Sequence, residues 1–237
     1  MKPISECRLY AFVDTAYLCG RKPETIAREL CEGGADLIQL RAKDVPPIEI
    51  ARLAKVILRI TQDAGVWLVV NDHWSVACEV GAPLCHLGQE DFFGAGHSHV
   101  SELLCSVGRG TAGEAGKSSQ WHRPFLGLST HSPDQAIRAM NAGAAYVAIG
   151  PVYPTPTKPG ARPVTLEYVR WAAQHCTVPW FAIGGINLAN LEDVLRAGAS
   201  RVCVVSAILK SPDVRGACRA FKERLLSWPN SQRKNSR

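Results

Sequence analysis

The chain has no uninterrupted apolar run long enough to cross a membrane. Two stretches, Ala139–Thr157 and Trp171–Leu191, lack formal charge, but prolines break the first, and Gly184, Gly185, His175 and two asparagines break the second. Neither is the continuous apolar segment of roughly 20 residues that a spanning helix needs. The opening MKPISECRLY lacks the apolar core of a secretory signal. No CxxC pair occurs among the nine cysteines, so the usual spacing of a zinc site is absent. An odd cysteine number, irregular spacing and no leader point to reduced, mostly buried thiols in a cytoplasmic protein. Nor is there a strong excess of charge: 27 Lys and Arg against 21 Asp and Glu leave +6, too little to argue for nucleic acid unless clustered. With 46% hydrophobic and 20% charged residues, the composition excludes a disordered chain, a coiled coil and a collagen-like repeat. At 237 residues the chain is long enough to build a core without a disulfide or metal staple.

What the sequence does contain is a fourfold recurrence. CEGGADLIQL ends at Leu40, CEVGAPLCHL at Leu87, NAGAAYVAIG at Gly150 and RAGASRVCVV at Val205. Each joins a helix tail, a Gly-Ala stop and a short apolar run. Glycine just past a helix takes the left-handed conformation that ends it. The run behind it reads as a buried parallel strand, too short and too continuously apolar for an amphipathic one. Successive copies are far enough apart to hold a further strand, and candidates lie at Trp67–Val70, Phe125–Leu128 and Trp180–Ile183, with Arg8–Val13 supplying the first.

Helices fill the gaps. They are expected at Pro23–Cys31, Pro47–Ala64, Trp74–Val80, Val100–Leu104, Pro133–Ala142, Leu166–His175, Leu188–Arg196 and Pro212–Leu226. Eight strands alternating with eight helices predict a single (β/α)8 TIM barrel spanning residues 1–230. A doubly wound open sheet is the alternative, but the first strand is followed by Asp14-Thr15-Ala16-Tyr17, not by a glycine-rich turn. Ser106–Pro124 is Gly- and Ser-rich and fits no element, so it is expected to be an insertion at the foot of the barrel. The basic tail Ser231–Arg237 is expected to be disordered.

Chemistry in this fold sits where strands run into their following loops. Those positions carry Gln39, Arg41 and Lys43 after strand two, Asn71-Asp72 after strand three, Asp91 after strand four and Ser129 on strand five. Strand six leads into Pro151–Gly160, which holds Thr155, Pro156, Thr157 and Lys158; strands seven and eight end in Gly184-Gly185 and Val205-Ser206. The last two loops often bind phosphate through backbone N–H groups beside a short extra helix, here Ala207–Leu209. Arg41, Lys43 and Lys158 add cations. Asp72 and Asp91 add two carboxylates suited to Mg²⁺, which takes one or two carboxylates along with water and phosphate oxygens. Two phosphorylated groups are implied, one of them a diphosphate.

Plainer readings exist for the same residues. Asp72 and Asp91 stand near helix starts, where Asp is often only a cap. Lys158 could be a solvated loop lysine, and Arg41 and Lys43 could pair with Asp44 or Glu90 on the rim. His86 and His131 suit structural roles, and His97-Ser98-His99 suits a solvated loop.

QLRAKD, VVNDH, HLGQED, LSTHS, GPVYPTPTKPG, AIGGI and VVSAI resemble, in order and approximate spacing, the motifs of thiamine-phosphate synthases, over about Leu9 to Ala220. Each motif alone is weak; all seven in register are specific. The resemblance implies a transferase that joins hydroxymethylpyrimidine pyrophosphate to thiazole phosphate and releases pyrophosphate, through a pyrimidine-methyl cation captured by the thiazole nitrogen. It implies that Gln39, Arg41, Lys43, Asn71, Ser129 and Lys158 hold the pyrimidine pyrophosphate, with Arg41, Lys43, Ser129 and Lys158 catalytic. Asp72 and Asp91 would hold Mg²⁺, and Thr155, Pro156, Thr157, Gly185, Val205 and Ser206 would hold the thiazole phosphate. Pro151–Pro163 would be a lid. Small phosphorylated molecules are the expected partners, with no nucleic acid or membrane, and a homo-oligomer is left open. The sequence departs from the family at Ala42, often an acid, and at His73, frequently Arg. A thiazole tautomerase and a non-catalytic regulator on the same barrel are the competing readings; a phosphosugar isomerase lacks its acid–base carboxylates here.

Overall fold

The computed structural model describes residues 1–105, 123–155, 157, 160 and 162–228. The expectations for most of the 106–124 insertion, for Pro156 and Lys158, and for the 231–237 tail fall outside them. The strands are β1 (Leu9–Asp14), β2 (Leu37–Arg41), β3 (Trp67–Asn71), β4 (Leu84–Leu87), β5 (Phe125–Thr130), β6 (Tyr146–Ile149), β7 (Trp180–Ile183) and β8 (Val202–Cys203). All pairs are parallel, in the order β1 to β8, and β8 closes on β1. The expected TIM barrel is therefore the observed fold. Gly34, Gly81, Gly143 and Gly198, the four recurrent stops, all have positive φ, the backbone state that a side chain at the end of a helix resists.

The helices are α1 (Pro23–Glu32), α2 (Pro47–Asp63), α3 (Trp74–Val80), α4 (Gln89–Gly94), α5 (Pro133–Asn141), α6 (Thr165–His175), α7 (Leu191–Arg196), α8 (Ser206–Leu209) and α9 (Val214–Ser227). α2 shows why they coat the barrel. Ile50, Leu53, Ile57 and Leu58 recur at helical spacing and are all buried, while Ile48 on the opposite face is exposed. Each such side chain contributes roughly 1.5–3 kcal/mol by leaving water.

The fourth helix differs from expectation. Val100–Glu102 is only a single 3-10 turn, and the helix after β4 is α4. Glu90 and Asp91 occupy its first turn, where the helix dipole favours acids, and Phe92 is its buried anchor. The following glycines masked that short helix in the sequence. α7 starts later than Leu188 because the Asn187 side chain accepts from the Ala189 and Asn190 N–H groups and holds those residues in a turn.

The cysteine reading needs one correction. Cys78 of α3 and Cys105 form a disulfide. Trp74 Nε1 donates to the Leu104 carbonyl at 3.2 Å, which lays that segment beside α3 and brings the two Cα atoms to 5.5 Å, within bridging range. Cys7, Cys85, Cys203 and Cys218 are buried free thiols, as expected; Cys31 and Cys176 are half-buried, and Cys19 is exposed. Among the described residues no helix is long and apolar enough to cross a membrane.

Candidate active site

Two cavities open at the C-terminal mouth of the barrel and share a wall. One, of about 190 Å³, lies on the β1–β5 side and is lined by Gln39, Arg41, Lys43, Asn71, Asp72 and Asp91. The other, of about 110 Å³, lies on the β5–β8 side and is lined by Thr155, Gly184, Gly185, Ile186 and Ser206. Ser129, Thr157 and Val205 border both. Every described residue that the sequence assigned to substrate or metal falls on one of the two.

On the polar side, barrel register does much of the positioning. Asp14, the last residue of β1, is the direct cross-strand partner of Arg41. Its carboxylate accepts from the Arg41 guanidinium at 2.8 Å and from the Ala16 N–H at 3.0 Å, and its side chain is 1% exposed. Arg41 is thus paired with Asp14, not with Asp44 or Glu90 as the rim reading supposed. Applying the strand-end rule to the first strand, as to the other seven, would have found Asp14.

Asp72 has φ of 62°, a left-handed conformation that Asp tolerates better than most residues but that still carries strain, and such strain concentrates at functional sites. The residue that caps α3 is His73, whose side chain makes no cap bond, and α4 is capped at Gly88. The capping explanation therefore fails for both acids. Burial pushes the Asp72 carboxyl above its ordinary value; Lys43 opposes that shift, the Asp91 charge adds to it, and a hydrogen bond from Asn71 lowers it. Two carboxylates that repel each other at one cavity wall are a natural pair of hard donors for a cation. Among the described residues no cluster of three or more His, Cys, Asp or Glu could hold a metal alone. A pair of carboxylates suits Mg²⁺, which keeps several waters and takes substrate oxygens.

On the smaller side, the backbone turns tightly. Gly184 and Gly185 have φ of 99° and 65° and press against the Pro151–Pro154 segment, so a Cβ on either would overlap Pro151, Tyr153 or Pro154. Val152 N–H donates to the Ile183 carbonyl at 2.8 Å and Tyr153 N–H to the Gly184 carbonyl at 3.1 Å, which fastens the start of that loop to β7. Tyr17, just past β1, hydrogen-bonds Thr157 at 3.1 Å and ties the loop to the other side of the mouth. α8 starts at Ser206, one residue before the short helix expected there. His131 bonds the Gly150 carbonyl through Nδ1.

The sequence reading missed the floor. Tyr10, Phe12 and His86 line the polar cavity, and the buried Tyr146 lies beneath. His86 has the structural role expected of it, buried in the wall with both ring nitrogens partnered: its Nε2 sits 2.9 Å from Ser129 Oγ and its Nδ1 3.1 Å from the Tyr146 hydroxyl. Burial lowers its pKa to about 4, which keeps the imidazole neutral.

The thiamine monophosphate synthase family model matches residues 9–114 and 115–208. The chain belongs to that family. Among relatives, the thiamine-phosphate synthase of Thermus thermophilus is 42% identical over 194 residues, 81% of this chain and 84% of the relative. The Halalkalibacterium halodurans enzyme of the same name is 35% identical over 215 residues, 90% and 93% of the two chains. A solved structure, thiamine phosphate pyrophosphorylase from Pyrococcus furiosus, superposes with a TM-score of 0.76 at 27% identity, covering 95% of this chain and 98% of that one. Orotidine 5'-phosphate decarboxylase from Pyrococcus horikoshii, at 15% identity and TM-score 0.58, shares the fold alone. The break in the thiamine monophosphate synthase match falls inside the Gly- and Ser-rich segment read as an insertion.

Proposed function

We propose that this protein condenses hydroxymethylpyrimidine pyrophosphate with thiazole phosphate, giving thiamine phosphate and pyrophosphate. The observation that carries the reading is a pair of unlike cavities that meet at Ser129 in a chain of this family. The polar one suits the diphosphate substrate and the smaller one the thiazole phosphate. The bond from the pyrimidine methylene to the diphosphate oxygen breaks, and its electron pair leaves with pyrophosphate. The thiazole nitrogen then donates its lone pair to the methylene carbon.

Such a step needs little covalent help from the protein. It needs stabilisation of the charge on the leaving group and exclusion of water from a reactive cation. Arg41 and Lys43 take the diphosphate, with Lys158 of TPTKPG as the third cation, while Gln39, Asn71 and Ser129 orient the pyrimidine. Thr155, Pro156, Thr157, Gly185, Val205 and Ser206 hold the thiazole phosphate. Asp72 and Asp91 would hold Mg²⁺, which when bound neutralises charge on the diphosphate. A tautomerase would need no diphosphate site, and the reading is supported by Arg41, Lys43, Asp72 and Asp91 lining one cavity.

The test is to supply both substrates with Mg²⁺ and follow thiamine phosphate and pyrophosphate together. Equimolar appearance of the two products is expected. Isomerisation of the thiazole alone, unaffected by EDTA, would defeat the transferase reading.

A further inference from the structure

Five side chains form one buried hydrogen-bond chain across the barrel. Gln39 Nε2 lies 2.5 Å from the Tyr10 hydroxyl, which lies 2.9 Å from the Tyr146 hydroxyl. Tyr146 lies 3.1 Å from His86 Nδ1, and His86 Nε2 lies 2.9 Å from Ser129 Oγ. Tyr10 and Tyr146 are at most 1% exposed. Gly127 makes the chain sterically feasible. It is the cross-strand partner of Tyr146, and a Cβ there would overlap the Tyr146 ring.

We propose that this chain has one polarity, which fixes the Ser129 hydroxyl as a hydrogen-bond donor into the junction of the two cavities. An amide nitrogen can only donate, so Tyr10 accepts from Gln39. Its single proton then goes to Tyr146, whose proton goes to His86 Nδ1. That leaves the proton of the neutral imidazole on Nε2, donated to Ser129. Ser129 has accepted from the protein and must direct its own proton at the cavity. The reverse polarity sets the Tyr10 proton against the Gln39 amide protons, leaving buried donors without acceptors. The same assignment leaves the Gln39 carbonyl oxygen as acceptor. A substrate with an acceptor near Ser129 and a donor near Gln39 is therefore selected, as an aminopyrimidine carrying a diphosphate would be. The inference rests on the reading that Ser129 touches that substrate. Tyr10, Tyr146 and His86 are positioning residues.

The experiment combines histidine ¹⁵N NMR with steady-state kinetics. The chain holds seven histidines, so the His86 signals are assigned by their loss in His86→Gln. In the wild type, His86 is expected to be the Nε2–H tautomer. Tyr146→Phe, which keeps the ring, shifts it toward Nδ1–H and lowers kcat/KM for the pyrimidine substrate about tenfold or more, with the thermal midpoint little changed. Tyr10→Phe breaks the chain one step earlier and supplies an independent variant. Ser129→Ala with Tyr146→Phe should be no worse than Ser129→Ala alone. A wild-type Nδ1–H tautomer, or losses that multiply in the double variant, overturns the polarity while leaving the proposed reaction standing. Wild-type turnover in Ser129→Ala, with the tautomer as inferred, overturns the contact with substrate instead.

Discussion

The Arg41–Asp14 pair should separate stability from catalysis. Asp14 is 1% exposed and Arg41 17%, so the pair is nearly out of water. One Asp14 oxygen is committed to the Ala16 N–H and the other to Arg41. Arg41→Gln leaves a buried carboxylate facing no cation. Breaking a fully buried pair from one side costs about 3–5 kcal/mol. Arg41 lines a cavity that water can enter, so a smaller cost, about 2–3 kcal/mol, is expected here. With an unfolding entropy of about 2 cal/mol/K per residue, a chain of 237 residues changes by about 0.5 kcal/mol per degree, so the midpoint falls by about 4–6 °C. Turnover should fall about a hundredfold, the worth of one charge-assisted contact to a leaving diphosphate. Adding Asp14→Asn to that variant removes the orphaned charge and keeps an oxygen for the Ala16 N–H. The double variant should regain at least half the lost stability and none of the lost turnover. Differential scanning calorimetry and a pyrophosphate-release assay read the two effects separately. A double variant as unstable as the sum of the singles would refute the orphaned-charge argument; wild-type turnover in Arg41→Gln would refute the role in catalysis.

Three further outcomes follow from the same geometry. Turnover should require Mg²⁺ and vanish in EDTA, and Asp72→Asn and Asp91→Asn should each raise the Mg²⁺ needed, with the double variant well short of the product of the two because both serve one ion; full activity in EDTA would sink the metal pair. His86 has a folded pKa of about 4 against an unfolded value near 6.5, so the folded state binds fewer protons between them; its stabilising contribution is whole above pH 6.5 and is lost as pH falls toward 4, up to about 3 kcal/mol, and urea unfolding of wild type and His86→Gln across that window should diverge by this slope. Gly127→Ala should destabilise by roughly 1–3 kcal/mol or more through overlap with the Tyr146 ring, and a normal thermal midpoint there would show that the barrel yields at that point.

Repeated glycine stops and apolar runs made the barrel legible, because parallel strands buried on both faces must be continuous and short. The candidate site was legible wherever a polar residue ended such a run, as at Arg41, Asn71 and Ser129. What escaped has physical causes. Asp14 ends a strand too and was within reach of the same rule, but its pairing with Arg41 takes the register that sets the two opposite each other. Tyr10 and Tyr146 sit inside apolar runs and look like core aromatics until their hydroxyls are seen to meet at 2.9 Å. Cys78 and Cys105 belong to segments that only tertiary packing brings together. The brevity of α4 hid it, since six residues are too few to show a helical period.

Core and site are not separate layers in this barrel. Asn71, His86, Gly127 and Tyr146 are successive cross-strand partners, so they share one face of the barrel wall and lead from the cavity down into the interior. A barrel of this size is normally filled there by branched aliphatic side chains. Here one position is reduced to glycine, and its neighbour is a tyrosine whose ring crosses the freed space toward Tyr10. The volume is conserved, so packing alone would accept phenylalanine at either tyrosine. The hydroxyls add only hydrogen bonds, whose net contribution to stability is about 1 kcal/mol each. Their larger consequence is directional. An aliphatic floor would leave Ser129 free to rotate its proton, whereas a floor of linked donors and acceptors determines which way it points. Along this face the interior supports the fold by its shape and the proposed reaction by its polarity, and a substitution that preserves the first can still remove the second.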